Sequence, residues 1–167
     1  MENRMYFSDQ FFSAGKTDIF NGNKDKIGAI DHKSAFTSGI NIEDIYGETV
    51  IEAGFSFFSN KWSIKRGEED LGFVKYAMSF FTKKYRYYKK GQEFDIESPA
   101  FSKEYSVFNS AKEEVAAFRK VSGFFQSSAY ELTNHTDIFE ADELIAVIMG
   151  VNAIEKRNQG AGGGAAT

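Results

Sequence analysis

The chain has 167 residues and a formal net charge of −4, which is enough length for one domain with a sizeable core and the wrong sign for a general nucleic-acid binder. It has no cysteine, which excludes disulfides, a thiol nucleophile and thiolate metal sites, and which agrees with a reducing cytoplasm. Eighteen Phe and eight Tyr beside a single Pro suit half-buried strands joined by tight turns.

Taken in chain order, the opening Met1-Glu-Asn-Arg-Met-Tyr6 lacks a basic stretch followed by an apolar run, so no secretory leader is expected. A loose repeat follows, in which an aromatic or β-branched strand, a polar turn and a second alternating strand recur. The turns fall at Asn21-Gly22-Asn23, Tyr46-Gly47-Glu48, Arg66-Gly67-Glu68, Lys90-Gly91-Gln92 and Asn109-Ser110-Ala111. Their spacing of about 20 residues leaves room for one hairpin per unit. Strands are expected near 4–8, 16–20, 26–30, 38–42, 50–57, 61–65, 71–76, 84–88, 92–96, 104–108, 114–120 and 129–133. Ile51, Ala53, Phe55 and Phe57 share one predicted face, as do Trp62 and Ile64, and Phe94 and Ile96. Period-two alternation with one polar face describes antiparallel sheet with water on one side.

The last element differs. In the run Leu144-Ile-Ala-Val-Ile-Met-Gly-Val-Asn-Ala-Ile154, large apolar side chains cover most of a helix circumference, and Ala146, Gly150 and Ala153 fill the rest. A helix apolar all round must be buried on every side. It also falls short of the roughly 20 residues needed to span a bilayer, so no transmembrane segment is expected. Asp137 to Glu140 offers a capping-box spacing, Asp142 and Glu143 suit the helix start, and Lys156 and Arg157 suit its end. Twelve strands in an open sheet would leave exposed edges, and a closed barrel of that size needs something in its lumen. The expected fold is therefore mainly β. It is a closed antiparallel barrel of about twelve strands around a central hydrophobic helix at 142–157, with residues 1–157 as one domain and 158–167 as a flexible Gly/Ala tail. A lipocalin-like carrier needs an empty lumen, which this chain fills itself.

These features in order resemble the tubby C-terminal-like superfamily, in its bacterial LURP-one-related and phospholipid-scramblase-like branch. The carriers of the resemblance are Phe11-Phe12-Ser13 with Thr17-Asp18-Ile19-Phe20, the Gly47 and Gly67 hairpins, and Lys103-Glu-Tyr-Ser-Val-Phe108 followed by Glu114-Val-Ala-Ala-Phe-Arg-Lys120. Tyr130-Glu-Leu-Thr133 then leads into the terminal helix. The resemblance spans about residues 5–157. It implies the same helix-filled barrel, a phosphoinositide-reading or membrane-associated relative, and no catalytic motif.

Charge is uneven along the chain. Lys61, Lys65, Arg66, Lys75, Lys83, Lys84, Arg86, Lys89 and Lys90 face only Glu68, Glu69 and Asp70 in the same stretch, giving +6 there and −10 elsewhere. Lys84, Arg86, Tyr88 and Lys90 share one face of a strand whose other face carries Tyr85 and Tyr87. Lys61, Lys65, Arg66, Lys84, Arg86 and Lys90 are thus the candidate lipid-binding residues, with anionic headgroups as ligand. The alternative is a solvated strand face on a structural or regulatory domain that binds an unidentified protein. The acidic group Asp137, Glu140, Asp142 and Glu143 lacks the alternating ligands and central glycine of a calcium loop, and reads as helix capping. His32 and His135 have no metal spacing, and neither G-x-S-x-G nor a P-loop occurs. The expected protein is a non-enzymatic, cofactor-free, cytoplasmic binding module, peripheral to the membrane.

Overall fold

In a computed structural model of the protein, residues 3–32, 39–80, 82–99 and 102–164 are described, with side chains to residue 160. The strands are β1 (Arg4–Ser8), β2 (Gly15–Phe20), β3 (Lys26–His32), β4 (Gly39–Glu43), β5 (Thr49–Phe55) and β6 (Trp62–Arg66). They continue as β7 (Glu69–Ala77), β8 (Lys83–Lys89), β9 (Gln92–Ser98), β10 (Tyr105–Phe108), β11 (Glu114–Val121) and β12 (Ala129–Asn134), followed by α1 (Ala141–Gly164). Each strand pairs antiparallel with its neighbours in sequence, and β1 closes the barrel on β12 from Arg4↔Thr133 to Ser8↔Ala129. The expected twelve-stranded barrel is the one observed.

Alternation decides which side chains enter the lumen. Trp62 and Ile64 of β6, Tyr85 and Tyr87 of β8, Phe94 and Ile96 of β9, and Tyr105 and Val107 of β10 are all buried. Down the middle runs α1, where Leu144, Ile145, Ala146, Val147, Ile148 and Val151 have no solvent exposure at all. About three consecutive turns of apolar surface, Leu144 to Ile154, meeting wall on every side make the helix the core of the molecule. Its small-residue stripe faces β6. Trp62 donates its indole N–H to the Ala146 carbonyl (3.1 Å), and a methyl at Gly150 would overlap the Trp62 ring.

The up-and-down path gives the barrel two unlike ends. The five hairpins predicted from turn composition all lie at one end, where the helix enters. Three of them repeat one device: the side-chain oxygens of Asn21, Asp44 and Asn109 each accept hydrogen bonds from backbone N–H groups two and four residues on. The connections at the other end run five to seven residues.

Four expectations shift. The strand expected over 50–57 ends at Phe55, because Phe57 and Phe58 turn outward and Phe58 adopts φ +58°. The strand expected from Ser38 is observed from Gly39, and Ser38 lies outside the described residues. The helix does not stop at Arg157. No proline interrupts it, and backbone hydrogen bonding propagates through 158–164, where the tail was expected to begin; 165–167 lie outside the described residues. The capping box is not formed either. Asp142 accepts a hydrogen bond from the Glu143 N–H (2.7 Å), while Asn134 fixes the preceding loop by donating to the Phe139 carbonyl (2.9 Å).

Candidate functional site

Strand β8 carries most of the basic stretch, and its alternation sorts those cations into two jobs. Lys83 and Lys89 point inward with Tyr85 and Tyr87. Lys89 donates to Glu143 (2.6 Å), a helix carboxylate that is 1% exposed, and the Tyr87 hydroxyl donates to the same group (2.6 Å). One helix-length away, Lys83 donates to Glu155 (2.8 Å), which the Tyr105 hydroxyl and Lys103 also approach. Burial, reinforced by the neighbouring carboxylate, pushes the hydroxyl pKa values of Tyr87 and Tyr105 well up. These two lysines fasten the helix to the wall and are unavailable to a ligand.

The outward cations are largely matched by the chain's own acids. Asp95 on β9 receives Arg86 (3.0 Å), Lys84 (3.4 Å) and Lys112 (2.5 Å). Burial penalises this carboxylate, but hydrogen bonds from Lys112 and Arg86 together with Lys84 outweigh it and hold its pKa down to about 2. Lys90 pairs with Glu69 (3.2 Å). Arg66 closes over the helix entrance, bonding Glu140 (2.5 Å) and Asp142 (2.7 Å). Burial raises the Asp142 carboxyl against the pull of that guanidinium. Lys65 is exposed and sits in register between Glu52 and Asp70.

Of the six candidate lipid-binding residues, Lys61, Lys84 and Arg86 share the outer face of β6–β8, whereas Arg66 and Lys90 lie at the helix-entrance end in ion pairs. Lys65 stands alone between acids. The six do not converge. Lys75, which belonged to the basic stretch without being singled out, belongs with the first group. It faces Arg86 directly across the β7–β8 ladder, and no ion pair engages it among the described residues. Lys61 lies 4.5 Å from the centre of the Phe73 ring, which stacks on Tyr88 at 4.9 Å. This outer strip therefore alternates aromatic planes and cations.

The strip rises to the end where the helix emerges, and there the apolar residues change character. Phe57 (88% exposed), Phe58 (96%), Met78 (82%) and Phe80 (90%) project from the β5–β6 and β7–β8 turns. Behind them Phe55, Asn60, Lys75, Tyr76, Ile154, Arg157 and Asn158 line a cleft of about 310 Å³. Arg157 ties turn to helix, donating to the Ser59 carbonyl (3.2 Å) with its guanidinium 4.4 Å from the Phe55 ring centre. Phe57, expected on one strand face with Ile51, Ala53 and Phe55, lies instead in the turn beyond β5. The signal against that assignment was composition: Ser56-Phe-Phe-Ser-Asn60 is polar at both margins, as turns are.

The remaining candidates resolve separately. Of the acidic group, Glu140 and Asp142 are engaged by Arg66 and Glu143 by Tyr87 and Lys89, whereas no ion pair engages Asp137 among the described residues. His32 and His135 sit at opposite ends of the barrel. The first meets the Phe11 carbonyl (3.2 Å), with burial lowering its pKa, and the second lies 3.7 Å from Glu114. Among the described residues no helix is long and apolar enough to cross a membrane.

Fold and surface together define a closed, helix-filled, twelve-stranded antiparallel barrel. The same fold is found in the X-ray structure of the Arabidopsis thaliana protein AT5G01750, with a TM-score of 0.61 and 13% sequence identity over 89% of this chain and 90% of that one. No family model matches the sequence, and no curated protein matches it.

Proposed function

We propose that the chain is a non-enzymatic module that binds anionic membrane surfaces reversibly through the outer strip of β6–β8, with Lys61, Lys75, Lys84 and Arg86 as its cations. The observation that carries this reading is Lys75 set directly opposite Arg86. Like charges placed opposite on one sheet face repel. An anionic headgroup between them would convert that cost into binding, and the Phe73–Tyr88 stack beside them suits the interfacial depth at which aromatic rings settle. The tubby C-terminal-like resemblance, in its LURP-one-related and scramblase-like branch, supports the same reading.

The rival is a protein-interaction domain with no lipid ligand. Asp95 favours it, because that carboxylate already offsets Lys84, Arg86 and Lys112.

Sedimentation with phosphatidylcholine vesicles, with and without phosphatidylserine or a phosphoinositide, separates the two readings. Each cation near an anionic surface contributes about 1 kcal/mol. Replacing Lys61 and Lys75 together by Glu should then weaken binding to anionic vesicles at least tenfold, while Lys90→Glu changes it little. Equal binding to neutral and anionic vesicles, or an unchanged signal in the double variant, overturns the lipid reading.

A further inference from the structure

We infer that the barrel end from which the helix emerges is a membrane-inserting tip, with Phe57, Phe58, Met78 and Phe80 entering the boundary between headgroups and acyl chains. This rests on the anionic-surface reading above and adds the element that leaves the water, and the orientation it imposes.

Among the described residues, four of the most exposed large apolar side chains lie on two turns. Those turns are neighbours, because β6 and β7 pair from Trp62↔Val74 and one cleft is lined by Asn60 of the first and Tyr76 beside the second. Phe57 and Phe58 touch edge to face at 4.1 Å, and that contact leaves both almost wholly in water. Phe58 also holds φ +58°, a backbone region where a bulky residue is a genuine outlier and where Gly or Asn would fit without strain. A large ring kept in a strained turn, pointing away from its own core, has a use outside that core.

The occupant is a bilayer because of shape and charge. Protein hot spots are packed centres of a patch. These four side chains instead project separately from two turns, with a cleft behind them that mixes Phe55, Tyr76 and Ile154 with Asn60, Lys75 and Arg157, as suits a fluid medium that closes around each. The same end carries Lys61 immediately after one turn, Lys75 just before the other, and Lys156 and Arg157 at the helix exit, donating to the carbonyls of Phe12 and Ser59. With the tips buried a few ångströms deep, those cations stand at phosphate level and the cleft walled by Lys75 and Arg157 opens onto the headgroups. The opposite end also exposes Ile45 and Tyr46, but Asp44 and Glu48 flank them in the same turn, and Glu140 and Asp142 beside it share the single cation Arg66, which leaves that rim acidic.

The test uses Phe58→Trp in the full chain. The lone native Trp62 is 2% exposed, so it gives a steady background. Anionic vesicles carrying brominated acyl chains should shift the new emission to the blue and quench it. In a second variant, Phe57→Ser with Phe58→Gly, affinity for the same unbrominated vesicles should fall about tenfold while thermal unfolding is unchanged. Vesicle binding without quenching overturns the insertion and leaves the surface-binding reading standing. Binding to neither neutral nor anionic vesicles overturns both. If light scattering shows instead that the second variant abolishes self-association while vesicle affinity is unaffected, the tip is a contact between protein copies and the inference fails.

Discussion

The two ends of the barrel are built from the same hairpins and do opposite things with them. At the helix entrance the turns are short and satisfy their own backbone through Asn21, Asp44 and Asn109. Arg66 bridges the wall to Glu140 and Asp142, and Glu143 is buried beneath Tyr87 and Lys89. At the helix exit the connections are longer, Glu155 is less deeply held, and apolar side chains face water. The difference teaches where stability is concentrated. A helix that fills a barrel must be fixed along its axis, and the more deeply buried of its two ion pairs, at Glu143, lies at the entrance.

The two helix carboxylates break or uphold that comparison most directly. Lys89→Met leaves Glu143 in the interior without its cation, a situation that costs about 3–5 kcal/mol in buried pairs. Lys83→Met leaves Glu155 with Lys103 at 3.6 Å and Gln159 at 3.4 Å, so a loss of about 1 kcal/mol is expected. Urea unfolding of both variants measures the gap, and equal losses would mean that the ends are not differently secured.

The wall between the ends adds a pH-dependent case. The Asp95 carboxyl is held at about 2, below its unfolded value, so its stabilisation is complete above the unfolded pKa and disappears as pH falls through about 2. Asp95→Asn should therefore lower stability by about 1–2 kcal/mol at neutral pH and converge on the wild type in strong acid. A difference that stays constant from neutral to acid pH would show that Asp95 acts through packing alone.

The smallest effects concern the turns themselves. Gly47, in a helix-entrance hairpin, has φ +82°, and Gly47→Ala should cost about 1 kcal/mol through backbone strain alone. At the exit, Phe58→Gly removes a strained residue that supports no core, so stability should stay within about 0.5 kcal/mol of wild type. Thermal unfolding of the pair checks the contrast; a large loss at Phe58 would make that turn structural.

What the sequence determined by itself was whatever depends on near neighbours along the chain. Period-two alternation marked twelve strands and their inward faces, turn composition marked all five entrance hairpins, and an apolar run without a polar side required a wall around it. Ala146 and Gly150 already implied a close approach; only the barrel showed that Trp62, 84 residues before Ala146, makes it. The charges were the opposite case. Lys83 and Lys89 read as surface cations in a basic stretch, yet their partners Glu155 and Glu143 lie 72 and 54 residues away, and Arg66 meets Glu140 across 74. No local pattern encodes such distances, so the excess charge of the segment looked available when most of it was internally matched. Phe57 failed for a related reason. Alternation predicts which side of a strand a residue faces, but where the strand stops is decided by the barrel, which here turns the chain outward after Phe55 and leaves two phenylalanines in water.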